Sequence, residues 1–153
     1  MKNELDGVTV ICFPTKLAAR GNLTVLELPE VVPFQVMRLF LVHRVSNSEV
    51  RGQHAHKRCW QLLISTTGTV MVDLSDGEVK RTFTLDSPEK GLLIPPLIWG
   101  TQYNFTADAA LLVLASEAFD AEDYLHDFED FKAYRKKISM NINGKGLLDS
   151  ELG

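Results

Sequence analysis

Thr69-Val-Met-Val-Asp-Leu-Ser-Asp76-Gly77-Glu-Val-Lys-Arg-Thr-Phe-Thr-Leu85 decides the fold class. Two β-rich runs, 69–74 and 79–85, flank Asp76-Gly77, a dipeptide suited to the positive φ angles of a type I′ hairpin. Working outward, similar runs occupy 8–13, 23–28, 34–45, 55–65, 91–94, 98–105 and 110–115. That makes about nine strands separated by turn signals, the pattern of an antiparallel sandwich or barrel. Pro88, Pro95 and Pro96 fall at run edges, where a missing N–H does least harm to a ladder.

With 153 residues, 45% apolar and 24% charged, the chain has material for one sizeable core and not for two typical domains. Its net charge is −4, and its Lys and Arg residues form no long block. No nucleic-acid or membrane partner is therefore expected, although a local basic pocket for a phosphorylated ligand is compatible with this distribution. Cys12 and Cys59 are the only cysteines and no secretory pattern opens the chain, so a reduced, cytoplasmic setting is expected. No apolar run approaches the ~18 residues of a membrane span.

The period changes at 121–137, where Tyr124, Leu125, Phe128, Phe131 and Tyr134 recur at helical spacing. Acidic residues crowd the first turns and Arg135, Lys136 and Lys137 close the last, which suits the helix dipole. One amphipathic helix is expected there, packed on the sandwich in preference to a partner subunit. Residues 138–153 show neither period, so 1–137 is read as a single domain followed by a mobile tail.

Chemistry concentrates in Arg51-Gly-Gln-His54-Ala-His56. Histidines at i and i+2 on a strand project from one face and converge. They serve a metal or proton transfer, or they merely pack and hydrogen-bond. A metal-binding cupin site adds a Glu about five residues after the second His and a third His on a later strand. Here Gln61 stands at the Glu position, and Trp99 and Gly100 stand where the third His belongs. His43 and His126 lie in other elements. A neutral amide does not offset a cation's charge, so no metal is expected, and the pair is read as an acid or base poised near neutral pH. Arg38, mid-strand among apolar residues, needs a carboxylate or a bound phosphate to answer its charge.

At these residues the chain resembles the WxcM-like nucleotide-sugar 3,4-ketoisomerases, which act on dTDP-4-dehydro-6-deoxyhexoses. The resemblance covers about 20–134. It rests on Arg20-Gly21-Asn-Leu23, Pro33-Phe34, Arg38, Arg51-Gly-Gln-His54-Ala-His56-Lys57, Gln61-Leu62-Leu63, Gly91-Leu92, Trp99, Asn104-Phe105, Tyr124, Phe128-Glu129 and Phe131. The resemblance implies an all-β, cupin-like jelly roll with one C-terminal helix, assembled as a homodimer. It also implies a cofactor-free, metal-free shift of a ketone from carbon 4 to carbon 3 through an enediol, in deoxysugar biosynthesis of the O-antigen (lipopolysaccharide) or S-layer type.

On this reading His54 is the base, and His56 orients the sugar or relays a proton. Arg51 holds the pyrophosphate or the enediolate, unless it forms only a rim salt bridge. Arg20, Arg38, Gln61 and Asn104 are further substrate-binding candidates. Trp99 and Tyr103 share a strand face and line the sugar or base pocket, unless they are core. Arg20-Gly21 resembles the branch that forms the galacto product. Phe40 departs from the family, which has a tyrosine facing the histidines there; either that hydroxyl is dispensable, or another group such as His43 or Tyr103 takes its place, or the reaction differs in detail. Gly100 and Thr101 replace charged positions of the family. The alternatives are a cupin-type epimerase, which wants a His–carboxylate pair and a catalytic Tyr, and a non-catalytic nucleotide-sugar binding protein.

Overall fold

In this computed structural model residues 4–150 are described, with side-chain surroundings for 4–142. The strands are β1 (Thr9–Cys12), β2 (Thr15–Lys16), β3 (Leu23–Thr24), β4 (Arg38–His43), β5 (Arg51–His56) and β6 (Gln61–Thr67). They continue as β7 (Val70–Ser75), β8 (Lys80–Leu85), β9 (Lys90–Ile94), β10 (Trp99–Tyr103), β11 (Ala110–Ala115) and β12 (Tyr124–Leu125), followed by the helix α1 (Phe128–Ser150). Two antiparallel five-stranded sheets, ordered β1-β9-β6-β11-β4 and β12-β5-β10-β7-β8, face each other, and β2-β3 form a small ribbon.

Val70, Val72 and Leu74 from one sheet meet Leu63, Leu92, Ile94, Leu111 and Val113 from the other in the main core. The opposite face of the first sheet is covered as well: Leu62, Ile64, Leu93 and Leu114 pack under Phe13 and Val32, with Val31, Phe34 and Val36 beside them. Burial on both faces explains why β6 and β9 read as unbroken apolar runs. Each fully buried Leu or Val contributes roughly 1.5–3 kcal/mol. The architecture is a cupin-like jelly roll with one C-terminal helix.

The hairpin signal is in the right place, but the turn type differs. β7 and β8 pair from Val70↔Leu85 to Ser75↔Lys80, leaving a four-residue loop. Within that loop only Gly77 has a positive φ, 96°, whereas type I′ needs two. The Asp76 carboxylate shapes the turn by accepting the backbone N–H groups of Glu78 (3.0 Å) and Val79 (2.8 Å). The expected strand 55–65 is also broken: β5 ends at His56, and the chain turns a corner into the other sheet before β6 begins. Asp123 ties that corner, its backbone carbonyl accepting from Lys57 N–H and its side chain from Arg58 N–H.

The helix expected over 121–137 starts later. Ala121–Asp123 form a 3₁₀ turn whose N-cap, Asp120, accepts from Glu122 N–H. Tyr124 and Leu125 then pair with His56 and Ala55 as the edge strand β12. Asp127 Oδ1 accepts Asp130 N–H at 2.9 Å, an N-cap that starts α1 at Phe128. The helix runs on through 138–150, where an aperiodic tail was expected; 151–153 lie outside the described residues. Phe128 and Phe131 pack on Trp99, and Arg135 donates to Leu97 O at 2.6 Å, so α1 docks on its own subunit.

Candidate active site

His54 and His56 stand on one face of β5, ring centroids 5.1 Å apart and perpendicular. The strand is shaped to present them: Gly52 has φ 78°, and a Cβ there would lie 2.9 Å from Gly100 O on the neighbouring strand. Only glycine permits that approach. His54 pairs across the ladder with Gly100. With Cys59, Gln61 and Gln102, the histidines line a narrow cavity between the sheets of about 20 Å³, room for one water-sized group.

The hydrogen bonds define the protonation of both rings. His54 Nδ1 lies 3.1 Å from Gly52 O and His56 Nδ1 lies 2.9 Å from Asp123 Oδ2. A carbonyl or carboxylate only accepts, so each Nδ1 carries the proton and each Nε2 is left with its lone pair. His56 Nε2 is buried without a partner among the described residues. Burial, reinforced by the charge of His56, lowers the His54 pKa to about 4, so at neutral pH this imidazole is an uncharged base. Burial also lowers His56, against the opposing pull of Asp123; Arg38 and His126 add to the lowering.

Three residues complete the site that the sequence reading left out or placed elsewhere. Asp123, 2% exposed, holds His56 through Oδ2 and is itself fixed by Arg58 N–H on Oδ1 at 2.7 Å. A His–carboxylate pair is thus present although no such pairing is visible in the sequence. Tyr124 lies against both histidines, with centroids at 5.1 Å to His54 and 4.4 Å to His56. Its hydroxyl accepts from Arg38 Nη2 at 3.5 Å. His126 stacks on Tyr124 at 5.4 Å and sits 6.0 Å from His54.

Of the residues proposed from sequence, Arg38 and Gln61 join the histidines. Arg38 lies over Phe40 (5.2 Å) and Phe119 (5.7 Å), and its buried Nε has no partner among the described residues. The others are not brought to the pair. Trp99 and Tyr103 occupy the face of β10 opposite Gly100 and Gln102: Trp99 packs on α1, and Tyr103 O–H donates to Asp73 at 3.0 Å. Arg20 is exposed in the turn between β2 and β3, and Asn104 (φ 50°) is exposed after β10. Arg51 is exposed at the start of β5, beside His43, Arg44 and Glu49. His43 and Tyr103 thus lie away from the pair, and Tyr124 is the tyrosine against the histidines.

The metal-ligand set of a cupin does not fit here. Gln61 offers a neutral amide, and Gly100, at the inward position opposite His54, offers no side chain. What remains is a pair of imidazoles with fixed tautomers, a tyrosine hydroxyl and an arginine, groups able to move protons, within a cupin-like jelly roll. Comparison with known proteins narrows that class. A family model described as FdtA: WxcM-like, C-terminal matches residues 6–136, and the chain belongs to that family.

A TDP-4-oxo-6-deoxy-alpha-D-glucose-3,4-oxoisomerase from Aneurinibacillus thermoaerophilus is 36% identical over 135 residues, covering 88% of this chain and 97% of that protein. A variant of the 3,4-ketoisomerase QdtA from Thermoanaerobacterium thermosaccharolyticum, solved with TDP-4-keto-6-deoxyglucose, superposes with a TM-score of 0.85. It is 33% identical, covering 88% of this chain and 97% of that one. The WlaRB TDP-quinovose 3,4-ketoisomerase from Campylobacter jejuni superposes at 0.80, with 32% identity and 84% and 99% coverage.

Proposed function

We propose that the protein is a TDP-sugar 3,4-ketoisomerase that converts a TDP-4-dehydro-6-deoxyhexose to its 3-dehydro isomer without metal or other cofactor. The observation that carries this reading is the pair of half-buried and buried imidazoles, each with Nδ1–H tied to an acceptor and Nε2 free. His54 removes the proton from carbon 3 while the carbon 4 oxygen takes a proton, giving the enediol. Return of a proton to carbon 4 and loss of one from the carbon 3 oxygen complete a redox-neutral isomerisation. His56, oriented by Asp123, and the Tyr124 hydroxyl relay protons between the two oxygens. Arg38 faces the charge that develops on them.

Arg51, Arg20 and Asn104 remain our candidates for the nucleotide end of the ligand, and Trp99 and Tyr103 for its periphery. The galacto configuration at carbon 4 is our expectation from Arg20-Gly21 alone. We place the enzyme in the cytoplasm, as a homodimer, in deoxysugar biosynthesis of the O-antigen or S-layer type. A second reading, a cupin-type epimerase, gains from the His56–Asp123 pair and Tyr124, the groups such an enzyme wants. Incubation with TDP-4-dehydro-6-deoxyglucose in heavy water separates the readings. Ketone migration to carbon 3 supports the isomerase, deuterium at carbon 5 with the ketone still at carbon 4 supports the epimerase, and no exchange leaves a binding protein.

A further inference from the structure

Cys59 has no part in the proton chemistry, yet it is fully buried beside it. Its Sγ, the imidazole of His56 and the carboxylate of Asp123 offer ligand atoms that all lie within 4.8 Å of one another, and all three residues are buried. We propose that these three side chains form a binding site for a thiophilic divalent cation of the zinc and cadmium type, and that occupation of this site switches the enzyme off.

The donor set suits the ion. One thiolate, one carboxylate and one neutral imidazole balance a charge of +2, which a buried site requires. Tetrahedral zinc holds its nitrogen and sulfur ligands about 3.5 Å apart. The 2.9 Å His56–Asp123 contact therefore opens slightly, and the sulfur, within 4.8 Å of the other two donors, moves in to bonding geometry. The carboxylate is already oriented by Arg58 N–H on its other oxygen, the kind of outer contact that fixes metal ligands. Cys59 and His56 both line the cavity, which gives the ion a way in and a place for a water as fourth ligand.

Binding changes the tautomer. In the free enzyme Nδ1 of His56 carries its proton toward Asp123 and Nε2 has a lone pair. A cation on Nδ1 displaces that proton, which reappears on Nε2, while the thiol proton leaves to solvent. His56 then cannot accept a proton at Nε2, and Asp123 no longer holds it in the working orientation. This inhibition deepens, and rests on, the isomerase reading; the binding itself does not.

The test uses the full chain with the exposed Cys12 changed to Ser, so that Cys59 is the only thiol. Chelator-treated protein is first assayed without metal: no ketone migration there or after zinc is restored counts against the isomerase reading and not against the cation site, whereas migration that returns with zinc overturns the proposed switch. Cadmium is then added while the ultraviolet thiolate-to-cadmium charge-transfer band is followed. We expect a band saturating at one ion per chain, with zinc and cadmium abolishing turnover in parallel and chelator restoring it. Cys59→Ser, or Cys59→Ala should the serine variant fold poorly, should lose the band and raise the half-inhibiting zinc concentration at least about tenfold relative to its own zinc-free rate. No band, a band without inhibition, or equal inhibition of the Cys59 variants would overturn the proposal.

Discussion

At the scale of single residues, the site turns on which nitrogen of each imidazole is free. His54→Asn removes the base while leaving nucleotide contacts elsewhere untouched, so isomerisation should vanish and TDP binding should stay within a few-fold. Calorimetric titration beside a turnover assay checks this, and wild-type turnover in the variant would remove His54 from the mechanism. The base works unprotonated, and its pKa is lowered from 6.5 to about 4. As pH falls, kcat/KM should therefore hold through 6.5 and decline only as the pH approaches about 4, a profile that places its acid limb far from that of free imidazole. The same shift acts on stability: between about 6.5 and 4 the unfolded chain takes up the proton and the folded one does not, so stability falls with pH across that window. Asp123→Asn leaves a similar shape but lets the amide donate toward His56 Nδ1, favouring the wrong tautomer. We expect kcat to fall at least about 100-fold and stability to fall by about 1–3 kcal/mol from the disturbed buried bonds, read by steady-state kinetics and urea unfolding.

At the scale of elements, β5 and β12 make the site, and they differ in how far the sequence discloses them. The histidine pair was legible because strand geometry has period two, and Arg51-Gly-Gln-His54-Ala-His56 carries that period on its surface. Asp123 was not legible, since its bond to His56 spans 67 residues and depends on the corner between β5 and β6 that Asp123 itself ties. Tyr124 misled for another reason. It stands at helical spacing from Phe128 and Phe131, yet those two pack on Trp99 while Tyr124 lies in a strand against the imidazoles. Trp99 and Tyr103 do share a face, as read, but a strand has two faces and sequence alone did not say which one met the histidines. Two element-level outcomes follow. Tyr124→Phe keeps the ring packing and loses the hydroxyl, so kcat should drop at least about tenfold with KM little changed. Gly52→Ala forces a Cβ within 2.9 Å of Gly100 O at a φ of 78°, and should cost about 1–3 kcal/mol in a urea melt.

At the scale of the whole molecule, the two-sheet sandwich buries one face of the first sheet in the main core and much of the other under the N-terminal segment, but the cover stops at β4. That strand ends its sheet, and Met37, Leu39 and Leu41 present exposed side chains beside an edge with no partner strand among the described residues. An unpaired edge beside an apolar row is a liability that a second copy relieves. We expect a dimer by light scattering at micromolar concentration, and Leu39→Glu should shift it toward monomer; a wild-type monomer would contradict this. Among the described residues no helix is long and apolar enough to cross a membrane.

The ketone moves on the protein's own side chains, with His54 as the base and no metal, and NMR of a chelator-treated reaction with TDP-4-dehydro-6-deoxyglucose is the direct check. Metal-stripped wild-type protein should place the carbonyl at carbon 3 with a new hydrogen on carbon 4, and His54→Asn, still binding TDP, should leave it at carbon 4. A carbonyl that stays at carbon 4 with the stripped wild-type protein and migrates only when zinc or iron is restored would contradict it.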